Sequence, residues 1–155
     1  MKTLVVYYSR TGNTKMIAES ISKALDSDIE EIIDTEKRSG IIGYIKSGYE
    51  ASRGKLSEIQ EPKHDLSQYD LLIIGTPIWA SKMAVPVRAY LKNNMDKIPL
   101  LACFSTCGSS GIEKTNQDFA DYTNITPMVT LGLKSSQIKD GSYNAMIDKF
   151  VQEVI

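Results

Sequence analysis

Cysteine and histidine are scarce. The 155 residues include two cysteines and one histidine, too few for a disulfide framework or a protein-only metal site. Cys103 and Cys107 lie four positions apart in a β-rich stretch, about 13 Å along a strand and beyond disulfide reach. Both are therefore read as free thiols. The lone His64 stands among polar residues far from either cysteine and is expected at the surface. No apolar run approaches the roughly 20 residues that cross a bilayer, so no membrane insertion is expected. Charge of one sign is also missing: 18 Lys plus Arg stand against 19 Asp plus Glu, a formal net charge of -1. Nothing global would recruit nucleic acid or anionic lipid, and a partner has to be recognised locally.

What is present fits one domain over residues 1–155: 42% hydrophobic and 24% charged side chains are enough to bury a core. Met1-Lys2 leads straight into the apolar run Thr3–Tyr8 with no small-residue cleavage site behind it, so the expected location is the cytoplasm. Further β-rich runs occur at Ile29–Ile33, Leu71–Gly75, Ile98–Phe104 and Thr126–Leu133. Segments of helical period lie at Thr14–Leu25, Pro86–Asn93, Glu113–Tyr122 and Tyr143–Val154. Near-continuous apolar strands alternating with helices predict an α/β fold, a five-stranded parallel sheet wound on both sides with ligands beyond the strand carboxyl ends. From Asp34 to Gln68 the connection is longer than a crossover requires. Ile41, Ile42, Tyr44, Ile45 and Tyr49 suggest an extra helix there. Lys37, Arg38, Lys46, Arg53 and Lys55 against Glu50 make the stretch basic, as a solvated face or as an anion site.

Three loops that follow strands carry the chemistry. Ser9-Arg10-Thr11-Gly12-Asn13-Thr14 joins the first strand to the first helix. Three hydroxyls, a glycine that lets backbone approach and the helix's unpaired N–H groups suit a phosphate, beyond what an ordinary helix cap needs. The P-loop pattern fails because Asn13-Thr14 follow Gly12, and the dinucleotide fingerprint is missing. A phosphoacceptor receiver domain lacks its acidic strand ends at Tyr8-Ser9 and Gly75-Thr76. The second loop, Gly75 through Thr76, Pro77, Ile78, Trp79 and Ala80 to Lys82, holds the only tryptophan, either folded on the core or offered to a flat ligand. Its convergence on the phosphate loop favours the ligand. The third loop, Ser105, Thr106, Cys107, Gly108, Ser109, Ser110 and Gly111, is a plain turn or a run of backbone donors for a heterocycle edge. Together the three loops describe a site for an aromatic phosphate ester.

These residues resemble the flavodoxin family, whose phosphate signature Ser/Thr-x-Thr-Gly-x-Thr is matched by Ser9, Thr11, Gly12 and Thr14. The resemblance implies a flavodoxin-like fold of the short-chain type, with strand order 2-1-3-4-5 and FMN as cofactor. It places Trp79 on one flavin face and Thr106–Gly111 at the pyrimidine edge. It also implies an electron carrier between redox partner proteins. Two departures leave room for a second expectation, an FMN-dependent reductase of quinones or another flat organic acceptor. Ala80-Ser81-Lys82 replace the family's glycine-acidic sequence, with a penalty if Ala80 must take positive φ, and the third loop has no aromatic to cover the second flavin face. A flavin-free interaction module built on the long connection is the third.

Overall fold

The computed structural model describes residues 1–35 and 58–155. Five strands of the sheet are parallel: β1 (Thr3–Tyr7), β2 (Asp28–Glu31), β3 (Leu71–Trp79), β5 (Leu100–Cys107) and β6 (Thr130–Lys134), in the order β2-β1-β3-β5-β6. Counted as parallel strands alone, that is the expected 2-1-3-4-5. The addition is β4 (Lys82–Met83), which turns back antiparallel on the end of β3.

Side chains alternate across the sheet, and each face has its own core. Leu4, Val6, Leu72, Ile74 and Leu101 face α2 (Val85–Asn93) and α3 (Ile112–Thr123), whose Val87, Tyr90, Leu91 and Phe119 complete that cluster. Val5, Tyr7, Ile73, Ala102 and Phe104 face α1 (Asn13–Leu25) and α5 (Tyr143–Val154), with Ile17, Ile21, Ile147 and Phe150. Burial on both faces is why these strands read as unbroken apolar runs. At Gly75 the backbone passes close under a ring: a Cβ there would lie 2.0 Å from Phe104 Cζ.

Strand limits move where proline and tertiary pairing intervene. β5 starts at Leu100 and β6 at Thr130, each after a proline (Pro99, Pro127) that offers no N–H to a ladder. β3 continues past Gly75 to Trp79, so the second loop of the sequence reading is largely strand, including Thr76, Pro77 and Ile78. Pro77 is tolerated because its N faces the same side as Gly75, whose carbonyl accepts from Tyr8 beyond the end of β1. No ladder donor is lost there, and Pro77 still pairs in register with Thr106. A short helix α4 (Ser135–Asp140) follows β6 directly and was not expected.

Bonds from Thr35 N to Glu58 O and from Gln60 N to Ile33 O bring the two described ends of the long connection together. The helix expected around Ile41–Tyr49 and the basic stretch Lys37–Lys55 lie outside the described residues. His64 is not a plain surface residue. It is half-buried, with Nδ1 3.4 Å from Glu30 Oε2, and the buried Glu30 carboxylate also accepts from the backbone N–H groups of Lys63 and His64. Both thiols are free, as read: Cys103 is buried and Cys107 half-buried. Among the described residues no helix is long and apolar enough to cross a membrane.

Candidate functional site

The connections leaving β1 and β3 run to opposite faces of the sheet, and a crevice opens between the carboxyl ends of these neighbouring strands. A cleft of about 220 Å³ lies there, lined by Arg10, Thr11, Asn13 and Thr14 from the first loop, Pro77, Ile78 and Trp79 from β3, and Thr106, Cys107 and Gly108 from the end of β5. Three segments separated by some 65 and 30 positions thus meet at one place.

The phosphate-like corner is built by Gly12. It caps α1 at φ 107, a conformation that disfavours any side chain, and its N–H donates to Ser9 Oγ at 3.0 Å. Among the described residues no side chain caps the helix, and no acidic residue sits in its first turn. The leading N–H groups and the positive end of the dipole are therefore directed at the cleft. Thr14 and Thr106 share a buried 2.8 Å hydroxyl hydrogen bond that ties the start of α1 to the end of β5. One proton serves that bond, and the other remains for a ligand oxygen. Thr11, Gly12 and Asn13 are exposed, while Ser9 and Arg10 are half-buried. A Cβ built at Gly12 or at Gly108 meets nothing within 4 Å, so the space above both is open, as an anion seated on backbone would need.

The wall of the cleft differs from the sequence reading in two places. Trp79 ends a strand instead of occupying a loop. It is 5% exposed and edge-on to Tyr8, with ring centroids 5.5 Å apart, so most of its surface belongs to the core and only its remaining edge lines the cleft. Thr76 is fully buried, its hydroxyl donating to Pro77 O and accepting from Ala84 N, both at 2.8 Å; it braces the wall from behind. Ala80 and Ser81 form the two-residue turn between β3 and β4 with φ of 51° and 61°, the type I′ geometry that glycine or asparagine usually fills. Gly111 caps α3 at φ 101 and packs against Ile78 and Ser81. Ser9, Gly12, Ala80, Ser109 and Gly111 thus shape the rim without lining the cleft.

Ser135 was missed. It opens α4, lines the cleft and donates to Cys107 O at 3.1 Å, tethering the third loop to the last strand. The hydroxyl pair Ser135-Ser136 directly after a strand is the signal used for the first loop and could have revealed it. Burial pushes the Cys107 thiol above its usual pKa, with Lys134 opposing weakly, so this cysteine rests protonated in the wall. A larger hollow of about 440 Å³ lies beside Gln60, His64, Asn93 and Lys97. The end of α2 that borders it is the carbonyl end, which disfavours an anion.

Comparison with known proteins identifies the family and the fold. The chain superposes on the FMN complex of a flavoprotein from Lactobacillus acidophilus NCFM with 27% sequence identity and a TM-score of 0.74, covering 91% of this chain and 98% of that one. The apo-form of the flavoprotein from the same organism gives 27% identity and a TM-score of 0.65 over 89% of this chain and 95% of that one. A flavodoxin from the domain Archaea shares the fold at 19% identity and a TM-score of 0.57, covering 99% of each chain. No curated protein matches. The flavodoxin family model matches residues 2–149, the whole sheet and every strand that bounds the cleft, and by that match the chain belongs to the flavodoxin family.

Proposed function

We propose that the cleft binds FMN and that the chain carries electrons between a reductase and an acceptor. The observation that supports this most is the uncapped start of α1 opening onto the Thr14–Thr106 pair, with a Cβ-free approach at Gly12. A phosphate dianion there gains backbone N–H groups, the helix dipole and hydroxyl donors without a lysine. The FMN complex of the Lactobacillus flavoprotein supports the choice of ester. FMN, when bound, supplies the reversible redox chemistry. The chain's residues hold and shape: Thr11, Asn13 and Thr14 fix the phosphate end, Pro77, Ile78 and Trp79 form one wall, and Cys107 and Gly108 bound the other side.

The test is a titration of the apoprotein with FMN, riboflavin and inorganic phosphate, followed by flavin fluorescence and calorimetry. The wild-type chain should prefer FMN to riboflavin. Thr14→Val should weaken FMN and phosphate by about tenfold, the loss of one charge-assisted hydrogen bond, and leave riboflavin unchanged. An apoprotein that binds none of the three would sink the assignment.

A second reading, reduction of a quinone or similar flat acceptor, is favoured by the exposed Gly108-Ser109-Ser110 loop, which itself carries no aromatic to cover the cleft. Stopped-flow reoxidation distinguishes the two. A carrier reacts fast with a partner protein and slowly with quinone alone, whereas the enzyme turns over on the small molecule.

A further inference from the structure

β4 is only two residues long, and so short a ladder does not hold itself in place. Its return toward α2 is held by side chains at consecutive N–H groups: Ala84 N donates to Thr76 Oγ1, and Met83 N donates to Asp118 Oδ2 at 3.0 Å. Asp118 comes from α3 and is itself engaged by Arg88 of α2, whose Nη2 lies 3.1 Å from Oδ1 and 3.0 Å from Oδ2. The Arg88 guanidinium sits over the Tyr122 ring at 4.5 Å and is 8% exposed, Asp118 15%. Met83 is fully buried, so without Asp118 its N–H would find no water in exchange. The ladder partner of Met83 is Ile78, which lines the cleft, and the turn between them holds two non-glycine residues at positive φ. A turn that is costly in itself stays in place only if its surroundings enforce it.

We infer that Asp118, oriented by Arg88, is a positioning residue for the flavin ring: through Met83 it fixes the β3–β4 hairpin at the cleft wall, while the phosphate corner stands independently of it. This rests on the FMN reading above. A buried ion pair contributes little net stability compared with apolar groups of similar size, so its role here is to fix geometry.

Two double variants isolate the tether from the charges. Asp118→Leu/Arg88→Met removes the pair and the acceptor for Met83 N–H. Asp118→Asn/Arg88→Met removes the charges but keeps an acceptor oxygen. The first should weaken both FMN and riboflavin by about tenfold, roughly the loss of one buried hydrogen bond, and leave inorganic phosphate binding unchanged. The second should recover most of that loss. A parallel fall in phosphate binding, equal loss in both doubles, loss of the folded state by circular dichroism in either, or no change in flavin affinity would each overturn the inference. If the wild-type chain itself takes up no FMN, the cofactor assignment fails instead.

Discussion

Cys107 shows how one side chain reports on the cleft. Its thiol lines the site, is half-buried and is held protonated by burial, whereas Cys103 is fully enclosed beneath α3. Only the thiolate reacts with alkylating agents. Iodoacetamide should therefore modify a single cysteine, slowly near neutral pH and faster as pH rises, and saturating FMN should slow it further. Peptide mapping by mass spectrometry checks both points; modification of Cys107 that ignores FMN would place the ligand elsewhere. Thr14 joins α1 to β5 through Thr106, and the pair keeps one hydroxyl proton for a ligand. The sequence marked Thr14 through its motif, but nothing in it marked Thr106 as the partner, because the two are 92 positions apart.

The β3–β4 hairpin is where local preference and fold disagree most. Two left-handed residues other than glycine are held there by packing and by the tethers at Met83 and Ala84. Ala80→Gly should relieve the strain and stabilise the chain by up to about 1 kcal/mol, a rise of about 2–4 °C in Tm by calorimetry. Gly75→Ala should act the other way. Its Cβ would fall inside the Phe104 ring, and an overpacked core of this kind costs about 1–3 kcal/mol in a denaturant titration. The hairpin was not legible beforehand, since Gly75 and Pro77 read as the end of a strand. Only the end of β1 beside them makes the proline harmless. The positive φ at Ala80 was legible as a conditional penalty, once the loop was set beside the family's glycine-acidic sequence.

Across the whole molecule, burial on both faces of the sheet controls how the tyrosines titrate. Burial, then the Glu31 carboxylate, pushes the Tyr7 phenol up to about 12; burial, then the hydrogen bond to Asp28, pushes Tyr69 up to about 12. Tyr90 and Tyr122 are raised as well, chiefly by burial. The native state thus holds these protons more tightly than the unfolded chain, whose phenols titrate near 10. Stability from this source is complete below pH 10 and is lost as pH rises towards 12. An absorbance titration near 295 nm should show an early class of the eight tyrosines and a late class that ionises together with unfolding. A single smooth step near 10 would contradict the buried placement.

The amino-acid order alone determined the alternation of strands and helices, and hence the doubly wound sheet, because continuous apolar runs and 3.6-residue periods are local patterns. It also marked the first loop, because three hydroxyls around a glycine at a helix start exceed what an ordinary cap needs. The tertiary structure decided what depends on neighbours distant in sequence: that Trp79 turns mostly onto the core, that Thr76 is occupied behind the wall, that Ser135 joins the cleft and that Asp118 holds the hairpin. A hydrogen-bond partner 28 or 35 positions away leaves no period or spacing in the chain, so only the folded arrangement reveals it.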